Sequence, residues 1–186
     1  MPILWGTWAG SVFTGLAVGS ALYQIGMERR NRKLAEQRQQ AAKVTAWLVR
    51  PWDIPAVAAV LNNSDEPAYQ VILTIVAIQG AAARTGLEGG PSWPYRAYLG
   101  VLPPGKFYLT IPSGGHGMML RFAIEICFTD AGGRSWVRLA KGSLTAIKHS
   151  PVDYYGLPRP IGWEYPEHET IADFLHRNTA DDEKDP

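Results

Sequence analysis

Short runs rich in β-branched and aromatic residues alternate with clusters of turn-forming residues over residues 43–148, and this alternation constrains the fold more than any other feature. The runs cover residues 43–49, 56–61, 69–78, 95–101, 106–111, 118–129 and 135–147. Gly, Pro, Asn, Asp and Ser fill the segments between them. About seven short strands without an intervening helix predict one mainly β domain over residues 43–148, an antiparallel β-sandwich. Residues 130–133, Asp-Ala-Gly-Gly, are expected to join the last two strands as a hairpin.

Three segments of this region carry a resemblance to known modules. They are residues 60–71 (VLNNSDEPAYQV), 102–105 (LPPG) and 128–136 (FTDAGGRSW). In them the chain resembles immunoglobulin-like or fibronectin-type-III-like bacterial modules. With its N-terminal region and the strand start at residues 44–47 (VTAW), it is similar to uncharacterised bacterial single-pass membrane proteins that carry such a module. The resemblance implies an immunoglobulin-like β-sandwich after a transmembrane helix, but it carries no functional residue with it, because one fold serves many functions.

An uncharged run precedes the domain. Residues 2–27 contain no Asp, Glu, Lys, Arg or His, and about 20 apolar helical residues are enough to cross the hydrocarbon core of a bilayer. We therefore expect a transmembrane helix over residues 1–27. A buried core helix is one alternative, and a cleaved signal peptide with Gly19 and Ala21 near the cleavage site is another. No Lys or Arg precedes the run, and the run is longer than a signal-peptide core, so both features favour an anchor.

A basic cluster follows the uncharged run and predicts its orientation. It consists of Arg29, Arg30, Arg32 and Lys33, within a helix-favouring segment over residues 28–42 that we expect to be a juxtamembrane helix. Short basic flanks stay on the cytoplasmic side of a membrane. The expected protein is thus a single-pass cell-membrane protein with its N-terminus outside and its C-terminal domain in the cytoplasm. The same cluster could contact anionic lipid headgroups of the bilayer.

Small residues recur at four-residue spacing inside the expected transmembrane helix. Gly6 and Gly10 form one pair, and Ser11, Gly15 and Gly19 form a second series. Such spacing lets helix backbones approach closely in a membrane. It favours a homo-oligomer, or packing against another membrane protein.

Composition argues against several function classes. The 18 Lys and Arg residues nearly balance the 17 Asp and Glu residues, with a net charge of +1, so we expect no nucleic-acid binding. The single cysteine, Cys127, excludes an intrachain disulfide and is expected to be a buried strand residue. No catalytic motif and no metal-ligand spacing stands out, so we expect no enzymatic activity, no cofactor, no metal and no small-molecule substrate. An enzyme would need a site at His116 or around Asp153-Tyr154-Tyr155.

Two further residue classes leave alternatives open. Loop tryptophans, Trp52, Trp93 and Trp163, would suit a sugar-binding module if the domain faced outward, whereas Trp47 and Trp136 are expected to fill the sandwich core. Glu125 is the one acid inside a convincing strand, and strand alternation would allow it to face solvent.

The C-terminal region, residues 149–186, comprises a proline-rich arm, a short helix and an acidic tail. Ile171, Phe174 and Leu175 recur at helical spacing on one side of the expected helix. This apolar stripe could dock on its own domain or in the groove of a partner. Together these features predict a membrane-anchored protein-interaction or scaffold module, a subunit of an oligomeric or larger membrane assembly.

Overall fold

The computed structural model of the protein describes residues 23–24, 27–29, 32, 34–114 and 120–164. Its contacts divide the chain into two units, residues 1–39 and 40–186. Every described residue of the first unit is helical, and the exposed pair Glu28 and Arg32 forms an ion pair of 2.7 Å one helical turn apart. Among the described residues, no helix is long and apolar enough to cross a membrane.

Most of the expected transmembrane helix lies outside the described residues. This applies to residues 1–22, and so to all five small packing positions: Gly6, Gly10, Ser11, Gly15 and Gly19. It also applies to Arg30 and Lys33 of the basic cluster, whereas Arg29 and Arg32 are described, helical and exposed. The anchor and its packing face therefore remain predictions.

The described part of the second unit contains eight strands in two antiparallel sheets. The three-stranded sheet has the order β1-β2-β5 and consists of β1 (Val44–Arg50), β2 (Ala56–Asn62) and β5 (Gly105–Ile111). The five-stranded sheet has the order β4-β3-β6-β7-β8 and consists of β3 (Ala68–Gln79), β4 (Arg96–Leu102), β6 (Arg121–Thr129), β7 (Ser135–Arg138) and β8 (Leu144–Ile147). Two one-turn helices accompany them, α1 (Gly86–Gly89) and α2 (Pro151–Tyr154). The predicted mainly β, sandwich-like arrangement is confirmed.

The predicted final run, residues 135–147, is two strands rather than one. Gly142 donates to the carbonyl of Leu139 at 2.8 Å, and Leu139 donates to the carbonyl of Ser143 at 3.0 Å, which closes a tight turn. Gly142 has a φ of +91°, a conformation that favours glycine. The predicted hairpin at residues 130–133 is confirmed by a 2.9 Å hydrogen bond from Gly133 to the carbonyl of Asp130, and it joins β6 to β7.

The main core lies between the two sheets. It is built from the inward-facing residues of both, among them Val60, Val71, Leu73, Leu99, Phe107, Ile126 and Phe128. Trp136 belongs to this core as predicted, and its indole Nε1 donates to the Asp130 carboxylate at 2.7 Å. Trp47 does not, because it alternates with the inward Ala46 and Leu48 and remains 39% exposed.

A second apolar layer covers the outer face of the five-stranded sheet. Ile72, Cys127 and Val137 on the sheet pack against Val152, Tyr155 and Leu157 of the C-terminal arm. The arm continues to Glu164, which bridges Leu99 in parallel at the edge of β4. The central strands β3 and β6 are therefore buried on both faces over most of their length, and Cys127 is a buried strand residue as predicted.

Candidate functional site

Three connections meet at one end of the sandwich, which we call the loop end. They are residues 51–55 between β1 and β2, residues 80–95 between β3 and β4, and, between β5 and β6, the described residues 112–114 and 120. The register places them together, since Ala56 pairs with Ile111 and Gln79 pairs with Arg121. Lys43, directly before β1, lies at the opposite end of that strand.

An apolar cleft lies between the sheets at the loop end, and we call it the distal cleft. Its inner chamber has a volume of about 220 Å³. Residues from both sheets and all three connections line the chamber, including Leu48, Ile75, Ala82, Trp93, Tyr95 and Phe122. The chamber is therefore lined by both sheets and by described residues of all three connections.

Two aromatic side chains form one wall of the distal cleft. The rings of Trp93 and Tyr95 meet edge to face, with 5.1 Å between their centroids and 86° between their planes. Glycines make room for both rings: a Cβ on Gly89 would lie 2.6 Å from Trp93 Cγ, and a Cβ on Gly114 would collide with the Tyr95 hydroxyl. The shape of this wall thus depends on glycines at two positions far apart in the sequence.

Two polar side chains beside the chamber, those of Trp93 and Ser113, already make hydrogen bonds within the protein. The Trp93 Nε1 donates to the carbonyl of Ile75 at 3.0 Å, and the Ser113 hydroxyl donates to the carbonyl of Asp53 at 3.0 Å. A ligand that needs many hydrogen bonds, such as a sugar, would find few partners here, whereas an apolar side chain would need none. Trp163 lies elsewhere, edge to face with Tyr98 at 6.5 Å, so the three loop tryptophans do not form one sugar platform.

A wider mouth of about 520 Å³ adjoins the chamber. It shares Pro51, Leu120 and Phe122 with the chamber and adds Trp52, Ile78, Gln79 and Arg121. Trp52 and Ile78 are 66% and 46% exposed, and Ile54 in the same β1–β2 connection is 67% exposed. Exposed large apolar side chains that lie together in a patch commonly mark a binding surface.

A buried polar cluster lies on the outer face of the five-stranded sheet. Glu125 is fully buried, and its Oε1 accepts hydrogen bonds from the Tyr155 hydroxyl at 2.6 Å and from the Gly86 amide at 3.0 Å. The expectation that Glu125 could face solvent is wrong, because α1 and the C-terminal arm cover that face. Burial raises the pKa of Glu125, although both hydrogen bonds and nearby Arg96 oppose the shift.

Arg96 fastens the β3–β4 connection to the same cluster. Its guanidinium donates to three carbonyls, those of Gly86 at 2.8 Å, Gly90 at 3.0 Å and Pro91 at 3.2 Å. It also lies 4.9 Å from the centroid of the Tyr155 ring. The cluster therefore ties two connecting segments to the sheet, and its burial leaves little access for a substrate.

The Asp153-Tyr154-Tyr155 segment has structural roles in this arrangement. The Ser150 hydroxyl caps α2 by accepting from the Asp153 amide at 3.2 Å, and it donates to the Asp153 carboxylate at 2.7 Å. Asp153 also pairs with Arg159 at 2.8 Å, and Tyr155 is committed to Glu125. An enzymatic site here has no support in the geometry.

The structure leaves several predicted site residues undescribed. His116, with residues 115–119, lies outside the described residues, as do Ile171, Phe174 and Leu175 of the expected C-terminal helix. Within the described ranges, no group of three or more His, Cys, Asp or Glu side chains could hold a metal ion.

Sequence reasoning missed the distal cleft. One signal was present, the Trp93-Pro94-Tyr95 segment directly before β4, because aromatic residues are enriched at binding interfaces. Comparison with known proteins adds no assignment: no protein-family model matches the chain, and no curated protein is similar enough to count as a relative.

Proposed function

We propose that this protein is a membrane-anchored protein-interaction module that binds a partner at the distal cleft. The observation that carries the proposal is the cleft itself, an apolar chamber with an aromatic wall and a mouth that exposes Trp52 and Ile78. Soluble surfaces rarely expose such apolar groups together unless they bind something. The mainly apolar lining of the chamber, together with the hydrogen bonds that Trp93 and Ser113 already make within the protein, favours an apolar protein side chain over a sugar or a reacting substrate.

The strand order supports an immunoglobulin-like assignment for the module. The order β1-β2-β5 corresponds to strands A, B and E of that fold, and β3, β6 and β7 correspond to C, F and G of the second sheet. By that correspondence the distal cleft lies among the A–B, C–C′ and E–F connections, at the end opposite the B–C and F–G loops that serve recognition in antibody variable domains. The assignment therefore supports the fold of the module, and the case for recognition at the loop end rests on the cleft itself.

The membrane part of the proposal rests on the sequence. The uncharged residues 2–27 would cross the bilayer, and Arg29, Arg30, Arg32 and Lys33 would stay on the cytoplasmic side beside the lipid headgroups. Gly6, Gly10, Ser11, Gly15 and Gly19 would pack against a second copy or another membrane protein. The module would then act as a subunit of an assembly, with the distal cleft available to a further component.

Site-specific photo-crosslinking in native membranes tests the proposal. A photoreactive residue at Ile78, in the mouth, should form discrete protein adducts. The same residue at Tyr69, which has a similar exposure at the start of β3, should not. Ala82→Trp, which fills the chamber, should reduce the Ile78 adducts several-fold. Equal labelling from both positions, or labelling that Ala82→Trp leaves unchanged, would remove the distal cleft as the binding site.

A further inference from the structure

We propose that the distal cleft is occupied by residues 167–177 of the same chain, with the apolar side chains of this segment in the chamber and its acidic side chains near Arg121. The inference rests on the proposed function, because it takes the cleft as the binding site. It adds that the chain carries its own occupant, which a partner must displace.

The charge at the mouth selects the kind of segment that fits. Arg121 is exposed at the start of β6 and lines the mouth, and the ion pairs among the described residues do not include it. The nearby Arg50 already pairs with Asp53 at 3.5 Å. An occupant that complements this site has an apolar anchor for the chamber and a negative charge beside it.

The C-terminal segment has this composition. Ile171, Phe174 and Leu175 share one side at spacings of three and four residues, and Glu167, Glu169 and Asp173 surround them. The aromatic Phe174 would meet the wall formed by Trp93 and Tyr95, where edge-to-face packing is favourable. The side chains of Ile171, Phe174 and Leu175 have no polar groups, so they need no hydrogen-bond partner in the chamber.

The described chain ends close enough for this segment to reach the cleft. Glu164 is fixed at the edge of β4, where its amide donates to the carbonyl of Tyr98 at 2.7 Å and its carbonyl accepts from Gly100 at 3.0 Å. Tyr95 in the cleft wall lies about 13 Å from Leu99 along the strand direction. Because Glu164 runs parallel to β4 and so away from the loop end, the chain must reverse. With residues 167–177 helical, the three residues from Glu164 to Glu167 extend up to about 10 Å, and the seven from Glu167 to Phe174 add about 10 Å along the helix axis. The combined reach of about 20 Å exceeds the distance of about 13 Å that the chain must cover after it reverses.

Photo-crosslinking within the full chain in its membrane tests this inference. We replace Phe174 by benzoylphenylalanine, irradiate, and map the crosslinked peptides by mass spectrometry. The expected products are intramolecular links to the segments around Tyr95 and Phe122, at least several-fold above those from the same probe at Thr179. Links to other parts of the sandwich, or a yield no higher than from Thr179, would overturn the inference.

Two further variants keep the test independent of folding. Arg121→Glu changes an exposed side chain, so it should preserve the fold and lower the Phe174 crosslinks several-fold, whereas Lys43→Glu at the opposite end should not. Higher salt should also lower the yield, because exposed charges are screened. Equal yields from the two charge variants would contradict the proposed ion pairing and with it the inference.

The source of the segment is tested by mixing chains of two isotopic compositions. Mixed-isotope products at the cleft would show that the tail comes from a second copy and would overturn the assignment within one chain. Failure of the inference remains distinct from failure of the proposed function. If Phe174 links elsewhere while the Ile78 probe still forms adducts sensitive to Ala82→Trp, only the inference is lost.

Discussion

Glu125 is a carboxyl group that folding removes from water almost completely. Its Oε1 has two donors, but its Oε2 has no hydrogen-bond partner in the described part of the structure. Burial is the largest cause of its raised pKa, and the negative charge of Glu88 adds to the shift. The hydrogen bonds from Tyr155 and Gly86 and the charge of Arg96 act in the opposite direction.

The raised pKa predicts that Glu125 makes the fold less stable as pH increases. Between the ordinary value of 4.5 and the higher folded value, the native state binds more protons than the unfolded state, so the free energy of unfolding falls as pH rises. Glu125→Gln, which cannot ionise, should flatten the pH dependence. Urea unfolding of residues 40–164 at pH 5 and pH 8 measures this, with the exposed Glu66→Gln as control. An unchanged dependence in Glu125→Gln would contradict the prediction.

At the scale of elements, the β3–β4 connection is attached to the outer face of its sheet and also forms part of the cleft wall. Its one-turn helix α1 is held to the sheet by Glu125 and Arg96, and its later residues provide Trp93 for the cleft wall. The Thr85 hydroxyl caps α1 by accepting from the Glu88 amide at 3.2 Å. A change in the packing of this connection should therefore be transmitted to the distal cleft.

Gly89→Ala tests that coupling. The new Cβ would lie 2.6 Å from Trp93 Cγ, so the indole must move, and overpacking of this kind costs about 1–3 kcal/mol. Gly162→Ala is the matched control, because a Cβ there meets nothing within 4 Å. We expect lower stability and weaker Ile78 crosslinking for Gly89→Ala alone. If both variants behave like the unmodified protein, the wall does not depend on a glycine at this position.

At the scale of the whole molecule, the β unit extends upstream of its first strand. Ala41 is only 1% exposed within the main core, and the Arg138 guanidinium donates to the carbonyls of Ala42 at 2.8 Å and Val44 at 3.0 Å. Lys43 also donates to the carbonyl of Gln40 at 3.0 Å. Residues 40–42 therefore contribute to the stability of the sandwich.

Two fragments test this contribution. Residues 43–164 should be soluble and β-rich by circular dichroism. Residues 40–164 should be more stable by about 1–2 kcal/mol, since they keep one buried side chain and two hydrogen bonds. Thermal or urea unfolding measures the difference. Equal stabilities would show that the sandwich begins at Lys43, and an insoluble or helical shorter fragment would place its boundary elsewhere.

Membrane topology is tested with the cysteine variant Asp182→Cys. Its background is low because Cys127 is buried and burial raises the pKa of its thiol. A membrane-impermeant maleimide should label the variant only after lysis if the domain is cytoplasmic. Labelling in intact cells would reverse the proposed orientation and favour the sugar-binding alternative.

Strand positions, most turns and the burial of Cys127 and Trp136 follow from the sequence, because alternation and turn chemistry act over a few residues. The turn at Gly142 does not follow from the sequence in the same way. The run of residues 135–147 contains a single turn signal, Lys141-Gly142-Ser143, and one such signal is too weak to predict two strands instead of one. The prediction that Trp47 fills the core was wrong, because Trp47 alternates with the inward-facing Ala46 and Leu48. Alternation also allows Glu125 to lie on an outer face, but it does not say which outer face another segment covers.

Only the tertiary structure decided which outer face of a sheet is covered by another segment. Tyr155 lies thirty residues after Glu125, yet it covers the outer face of β6 and buries the carboxyl, whereas Trp47 on the other sheet keeps solvent access. The distal cleft has the same origin, because it requires side chains from Leu48 to Phe122 to converge at one end of the sandwich. Local patterns report which face of a strand is apolar. The packing of distant segments determines which polar groups become buried and where an apolar surface stays open.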